Sequence, residues 1–309
     1  MTGQLIEVSN QTHLWADRFD GRMDDIFDLQ DRIASSVIGA IVPNIEKAEI
    51  ALAIRKPTES LSAYYGYLRG LSSFYQFTRD GHLRALPLFM RAAEIDPTFA
   101  LTAWYITGKA YAWIEGNISE SPQAEKVARE ALSLSGDDPR VLAHAGQALT
   151  YVAMKVDEGA AILSRAVEID PNLAIARLWL GGANIFQGKF DDAIEPFALA
   201  LRLSPFDPRT FLSYSGLATA HFHLSCYEEA LKWASNGVRR WPDFVQLHRQ
   251  MMAALAMLGR HEEAALSRAN VVRLNPTLTI GEFRRTTGLV RKDDIEKVVA
   301  AWRLAGMPE

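Results

Sequence analysis

The sequence predicts an all-α solenoid, a stack of antiparallel helix pairs that repeat along the chain. The first observation is a proline spacing of 34 residues, which links Pro171 to Pro205, Pro208 to Pro242, and Pro242 to Pro276. The second is that each interval holds two apolar segments separated by Gly or Ser and an acidic pair. The third is composition, since 49% of the 309 residues are apolar, enough for a continuous core. Repetition at this period is typical of solenoids.

The residues at each turn predict where helices begin and end. Acidic pairs occur in QGKFDDA at 187–193, LSCYEEA at 224–230 and LGRHEEA at 258–264. Because the helix dipole is positive at the N-terminus, the second helix of each pair is expected to begin at these carboxylates. Each proline lacks an N–H and disfavours helix at the preceding residue, so it separates one pair from the next. Small residues such as Gly181 and Ala193 are expected to let the paired helices approach closely.

The repeat resembles the tetratricopeptide repeat family, whose units are helix–turn–helix pairs of 34 residues. The first-helix signature of that family is followed by Trp104, Thr107, Gly108 and Tyr111, with Thr in place of Leu. The unit at 174–207 matches at Leu180, Gly181, Ala193, Phe197, Ala200 and Pro205. The resemblance implies a right-handed superhelix of about six units, at 63–97, 100–139, 140–171, 174–207, 211–244 and 245–278.

The two ends of the chain do not fit the repeat. The alternating patterns of Gln4–Val8 and His13–Phe19 predict two strands that form a hairpin. Because an isolated hairpin is only marginally stable, we expect it to be the remnant of a larger sheet domain. Asp293–Ala305 predicts a helix that caps the stack, because a last repeat would otherwise expose an apolar face. The residues on its inward face are Ile295, Val298, Val299 and Trp302. The expected domains are a hairpin remnant (1–22), connecting helices (23–56), the solenoid (57–278) and a C-terminal capping helix (279–309).

Three longer segments resemble an architecture of bacterial multidomain proteins. They are GQLIEVSNQTHLWADRFDG, DIFDLQDRIASSVIGAI and RKPTESLSAYYGYLRG, and the ending RLAGMPE is similar as well. The similarity is strongest to rhizobial-type class III adenylate/guanylate cyclases, in which a TolB-like domain precedes the repeats. It implies that this chain is the regulatory C-terminal part of such a protein, and that the catalytic domain with its metal-binding aspartates lies outside it. Some winged-helix transcriptional regulators share the same tail.

Composition argues against several classes of protein. With 33 Lys plus Arg against 37 Asp plus Glu, the formal charge of −4 gives no basic footprint for nucleic acid. The segment 211–227 lacks Asp, Glu, Lys and Arg but is too short and too polar to span a membrane. The N-terminus has neither the basic start nor the apolar core of a signal peptide. A single cysteine, Cys226, cannot form an internal disulfide, so we expect a reducing, cytoplasmic location.

The sequence contains no catalytic or cofactor motif, so we expect no catalytic residue, cofactor or metal in this chain. His221, His223 and Cys226 are the one cluster of candidate metal ligands, but zinc needs three or four ligands and helix packing is the simpler interpretation. Gly181 and Gly182 suggest a phosphate loop, although their place in the repeat favours helix packing. Four cations indicate either a solvated face or a docking patch for an acidic partner: Arg284, Arg285, Arg291 and Lys292.

In a stacked array the first helices line a concave groove, and residues one step round from their packing stripe are expected to face it. The candidate binding residues are Tyr105, Lys109, Gln147, Leu178, Ile185, Ser215, Phe222 and Arg249. This mostly apolar set lacks the Lys and Asn residues of a terminal-carboxylate clamp. An apolar or extended peptide, or a neighbouring domain, is therefore the expected ligand.

The predicted function is a non-catalytic protein–protein interaction scaffold. Its partner would be a protein or peptide segment, or the cyclase domain of its own parent protein. One alternative is the sensor module of a winged-helix transcriptional regulator. The other is an oligomerisation module, in which the N-terminal strands or a solenoid face pair in a homodimer.

Overall fold

The computed structural model describes residues 2–7, 12–18, 41, 49–50, 63–75, 79–95, 121–135 and 137–309. Within these residues the chain forms a two-stranded sheet and thirteen helices. The strands are β1 (Thr2–Glu7) and β2 (Thr12–Arg18). The helices are α1 (Ala63–Phe74), α2 (Arg79–Ile95), α3 (Ser121–Ser135), α4 (Pro139–Tyr151), α5 (Val156–Ile169), α6 (Ala174–Phe186), α7 (Phe190–Leu203), α8 (Thr210–His223), α9 (Tyr227–Arg240), α10 (Val245–Met257), α11 (His261–Leu274), α12 (Ile280–Thr286) and α13 (Lys292–Leu304).

The N-terminal hairpin is confirmed. Strands β1 and β2 pair antiparallel, with Leu5 opposite Trp15, and the register shifts between Leu5 and Ile6. The connecting helices expected at 23–56 lie almost entirely outside the described residues. The Trp104–Tyr111 signature also lies outside them.

From residue 139 onward, four antiparallel helix pairs follow one another: α4/α5, α6/α7, α8/α9 and α10/α11. Each pair packs on the next, and the first helices α4, α6, α8 and α10 also contact one another. These first helices therefore form a continuous layer, which we call the inner face. The last three pairs coincide with the units predicted at 174–207, 211–244 and 245–278, so the repeat prediction is confirmed there.

The four pairs share one kind of turn, in which a residue one or two positions after the helix cap has a left-handed backbone. In the last three turns the next amide donates to a carbonyl five residues back, as from Lys189 N to Asn184 O at 2.8 Å. This is the Schellman arrangement that ends a helix. Glycine adopts the left-handed conformation freely, whereas other residues are disfavoured there by about 1 kcal/mol. The residues are Met154 (φ 54°), Gly188 (φ 74°), Ser225 (φ 64°) and Gly259 (φ 73°).

Small residues allow the two helices of a pair to come close, as predicted. A Cβ on Gly181 of α6 would lie 3.0 Å from the ring of Phe197 in α7. A Cβ on Gly146 of α4 would lie 2.7 Å from the side chain of Leu163 in α5. The second helices begin with acidic first turns, and each buries an alanine there: Ala193, Ala230 and Ala264. Gly181 therefore belongs to the helix interface, as the repeat pattern indicates.

The C-terminal region does not continue the stack as a further helix pair. Helix α12 begins where the first helix of a further pair would begin, but it ends after 7 residues. The chain then reverses, and α13 packs against α10, the first helix of the last pair. Its apolar face is the predicted one, since Val299 and Trp302 are buried and Ile295 and Val298 pack against the same core. The last helix therefore lies over the inner face.

Gly159 tests the close approach within a pair, because alanine is usual at its repeat position. A Cβ there would lie 2.1 Å from Thr150 Oγ1 and 2.7 Å from Gly146 O. The backbone of α4 cannot move away cheaply, so Gly159→Ala should lower the free energy of unfolding by about 2 kcal/mol despite the higher helix propensity of alanine.

Gly66→Ala is the matched control, because a Cβ at Gly66 would make only ordinary contacts of 3.6 Å or longer. It should leave stability unchanged or raise it by up to about 1 kcal/mol. Urea denaturation measures both variants. Equal stability of the two variants would contradict the close packing of α4 and α5.

Candidate functional site

The structure places the predicted groove residues inside the stack and not on an open surface. Tyr105 and Lys109 lie outside the described residues. Arg249 is half-buried. Five others are buried, with exposures from 1% to 8%: Gln147, Leu178, Ile185, Ser215 and Phe222. The expected exposure of these five side chains is therefore wrong, and contact of any of the eight with a partner stays a prediction.

Two kinds of contact cover the inner face, and one of them is made between neighbouring helices of that face. Gln250 Nε2 of α10 donates to Ser215 Oγ of α8 at 2.7 Å. The ring of Tyr151 in α4 lies 4.8 Å from the ring of Phe186 in α6. The repeat pattern assigns such residues to one face of each helix, but it does not reveal that the next helix covers that face.

The second contact is made by the C-terminus of the chain, residues 287–309, which we call the C-terminal strap. It first meets the end of α6, where Val290 N donates to Phe186 O at 3.3 Å and Arg291 Nη1 donates to Gly188 O at 3.1 Å. The last carbonyls of a helix have no partner within the helix and carry partial negative charge, so an amide and a cation stabilise them. The strap thus begins two repeats away from the pair that precedes it.

Lys297 makes the same kind of contact one repeat further along. Its Nζ donates to His223 O, at the end of α8, at 2.6 Å and to Ser225 Oγ at 2.8 Å. The ammonium also lies 5.9 Å from the ring centroid of Phe222 and 5.7 Å from that of Tyr227. The strap therefore binds the ends of successive first helices, a pattern that depends on their regular stacking.

Trp302 anchors the strap on α10 and is 1% exposed. Its ring centroid lies 4.8 Å from the guanidinium carbon of Arg249 and 4.8 Å from the ring of Phe283 in α12. Arg249 Nη1 donates to Gln246 Oε1 at 2.7 Å, whereas Arg249 Nε is buried without a hydrogen-bond partner. Burial lowers the pKa of Arg249 to about 10, because the charged form loses its hydration.

The seam between strap and inner face contains other buried polar atoms without hydrogen bonds. They include both ring nitrogens of His223 and also Asp294 Oδ2, which instead forms an ion pair with Arg291. His223 instead stacks on Phe190, with ring centroids 4.1 Å apart and planes at 4°. An unsatisfied buried polar group costs about 1–3 kcal/mol. The strap is therefore held less tightly than an apolar helix covering the same area would be.

The charges at this seam shift the titration of two groups. Burial raises the pKa of Asp294, and Arg291, whose Nε lies 3.2 Å from Asp294 Oδ2 as an ion pair, opposes that shift. Burial, and to a smaller extent the charges of Lys297 and Arg291, lower the pKa of His223 to about 3. His223 is accordingly uncharged at neutral pH, with its Nδ1 4.0 Å from Asp294 Oδ1.

The basic cluster near the C-terminus makes its contacts within the chain. Arg284 pairs with Glu296, and Arg285 Nη2 lies 2.7 Å from Glu282 Oε2. Arg291 is bound to the end of α6, as described above. Arg291 thus joins the strap to the solenoid, Arg284 joins α12 to α13, and the ion pair of Arg285 lies within α12.

The histidine and cysteine cluster does not come together as a metal site. His223 is buried whereas Cys226 is exposed. Among the residues that the structure describes, no three His, Cys, Asp or Glu side chains are grouped so that they could hold a metal ion. In the same residues, no helix combines the length and hydropathy that a membrane span requires.

A separate depression of about 430 Å³ lies where two repeats are spaced apart by three extra residues. The insertion Phe206–Pro208 forms one wall, and Arg240 and Trp241 form the other. Arg240 donates to the hydroxyl of Tyr214 at 3.0 Å, and its guanidinium carbon lies 5.5 Å from the Trp241 ring. The irregular spacing of the prolines therefore coincides with a depression in the surface.

Comparison with known proteins supports the repeat architecture. No known protein-family profile matches the chain. The chain is 26% identical over 231 residues to "Tetratricopeptide repeat protein 37" of Xenopus laevis, which is 72% of this chain and 14% of that protein. It is 26% identical over 145 residues to "Putative adenylate cyclase 3" of Rhizobium meliloti (strain 1021), which is 45% of this chain and 25% of that protein. The matches thus span a quarter or less of these relatives.

The crystal structure of PilW, described as a widely conserved type IV pilus biogenesis factor, is similar in fold. The match covers 78% of this chain and 97% of PilW, with a TM-score of 0.50 and 18% identity. The fold is a tetratricopeptide-repeat α-solenoid. In this solenoid the inner face between α6 and α10, with the strap seated on it, is the candidate functional site.

The lowered pKa of His223 makes the stability of this tetratricopeptide-repeat solenoid depend on pH. Its pKa is about 3 in the folded chain and about 6.5 in an unfolded chain. As pH falls below 6.5, the unfolded chain binds a proton that the folded chain does not, so His223 makes the fold about 2 kcal/mol less stable at pH 5 than at pH 7.

His223→Phe keeps the stack on Phe190 and removes the titration. The variant should therefore lose less stability than the wild type between pH 7 and pH 5 in chemical denaturation. His261→Phe, at an exposed position, is the matched control and should behave as the wild type does. An unchanged pH dependence in His223→Phe would show that this histidine is not buried in the neutral form.

Proposed function

We propose that this chain is a non-catalytic interaction scaffold that binds a protein segment on its inner face. The observation that carries the proposal is that this face already holds the C-terminal strap, which binds the C-terminal ends of α6 and α8 through Arg291 and Lys297 and packs on α10 through Trp302. A surface that seats a helix across several repeats has the shape to seat another. Extended concave surfaces of this kind are the usual binding surfaces of solenoid proteins.

We further propose that the scaffold regulates a class III adenylate cyclase-like protein as its C-terminal part. Two observations support this. The N-terminal segments resemble those that precede the repeats in such cyclases, and 145 residues match a relative whose name is that of an adenylate cyclase. In this proposal the hairpin ends a TolB-like domain (1–22), connecting helices follow (23–56), and the solenoid (57–278) carries the C-terminal helix (279–309). The partner is then the cyclase domain, in the cytoplasm.

The direct test mixes the purified chain with the catalytic domain of a class III adenylate cyclase encoded in the same genome. Isothermal titration calorimetry should show saturable binding with a Kd of about 10 µM or tighter. The rate of cyclic AMP formation from Mg²⁺-ATP should change at least about twofold, while the chain alone should form none. An unrelated repeat protein of similar length is the control.

The outcomes separate the two parts of the proposal. Absence of binding together with an unchanged rate would contradict the cyclase assignment. Cyclic AMP formation by the chain alone would contradict the non-catalytic assignment.

A further inference from the structure

The seam under the strap is unusual because it combines a strong apolar anchor with buried polar atoms that have no hydrogen bond. Trp302 and Val299 are fully buried, as expected for a permanent part of a core. Yet Arg249 Nε and both ring nitrogens of His223 are buried near the same segment without hydrogen bonds. A segment selected only to complete the core would be expected to satisfy or avoid such groups.

Arg249 shows most clearly that the strap complements the inner face incompletely. Its guanidinium lies between two rings, 4.8 Å from that of Trp302 and 5.4 Å from that of Phe283. Its hydrogen bond goes to the neutral amide of Gln246. Within the described residues, no carboxylate pairs with Arg249. Arginine commonly binds a carboxylate through two hydrogen bonds, so this site has guanidinium donors to which the strap supplies no carboxylate.

The strap begins with a partly exposed stretch ahead of α13. Val290 in this stretch is 64% exposed, and Arg291 is exposed. The polar contacts of this stretch, from Val290 and Arg291 to the end of α6, lie at the rim of the inner face. Each of the four helix pairs packs on the next, so the stack has contacts of its own that do not involve the strap.

We propose that the C-terminal strap is a displaceable, autoinhibitory occupant of the inner face, replaced by a partner helix that carries a carboxylate facing Arg249. This inference rests on the scaffold function proposed above and names the ligand class of the same face. The partner helix resembles α13 in its apolar stripe, because that stripe fits between Phe222 and Arg249. It differs in supplying the negative charge that α13 lacks at this position.

Hydrogen exchange of the full chain tests whether the strap opens separately. Amides in 292–304 should exchange at least about tenfold faster than those in 245–257, because a sub-global opening exposes only the strap. Lys297→Ala removes the contacts with His223 O and Ser225 Oγ and should accelerate exchange of the strap further. Lys292→Ala, an exposed lysine on the same helix, is the matched control and should leave exchange unchanged. Equal exchange rates for strap and α10 in the wild type and in Lys297→Ala would overturn the proposal.

Peptide binding tests the ligand class. The probe is a fluorescent synthetic peptide of residues 290–308, whose binding to the full chain is followed by anisotropy. Binding to the Lys297→Ala chain should be at least about fivefold tighter than to the wild type, because the strap competes less. Two further peptides carry Val298→Glu or Ala305→Glu, positions one turn before and one turn after Trp302 on the same face.

At least one acidic peptide should bind the Lys297→Ala chain more tightly than the unmodified peptide does. That gain should vanish in a chain that also carries Arg249→Met, which keeps the length of the side chain and removes the charge. No gain from either acidic peptide, or a gain that persists without Arg249, would overturn the carboxylate assignment. A failed cyclase titration alongside separate opening of the strap would contradict only the choice of partner.

Discussion

The close approach of the two helices within each pair is the constraint on which the rest of the structure depends. Gly146 and Gly181 leave no room for a Cβ against the partner helix. Because the two helices of each pair lie so close together, the first helices of successive pairs are also in contact. The hydrogen bond between Gln250 of α10 and Ser215 of α8 is one such contact. The inner face is therefore a packed layer with its own periodic features, and the ends of its helices form a regular row of carbonyl acceptors.

The C-terminal strap donates hydrogen bonds to carbonyls at these helix ends. Arg291 and Lys297 bind the ends of α6 and α8, and Trp302 reaches the start of α10. The electrostatics of helix ends and the burial of one aromatic ring together hold a helix across the repeats. The same seam leaves His223 and Arg249 incompletely satisfied, so the contact is substantial without being optimal. This balance is what a surface that exchanges ligands requires.

Much of the fold could be predicted from the sequence because repeats encode local physics. The prolines, the acidic pairs and Gly181 fix helix ends and close contacts within one unit, and the structure confirms them. The sequence also predicts α13 as an amphipathic helix, including the burial of Val299 and Trp302.

The site could not be predicted in the same way, because it depends on contacts between distant parts of the chain. Arg291 meets Gly188 across 103 residues. Periodicity assigns Leu178 to one face of α6 and Phe222 to the same face of α8, but it does not indicate which segment covers those faces. The basic residues near the C-terminus were the available signal, since cations suit helix ends, and their partners emerged only from the folded chain.

Paramagnetic relaxation tests the central claim, that the C-terminal helix lies on the inner face of the stacked pairs. Cys226 is exposed and is the only cysteine in the sequence, so a nitroxide can be attached without mutation. It adjoins Ser225, whose Oγ lies 2.8 Å from Lys297 Nζ. The amide signals of 294–298 should broaden as strongly as those of 227–230. Full intensity at 294–298 beside broadened signals at 227–230 would contradict the account.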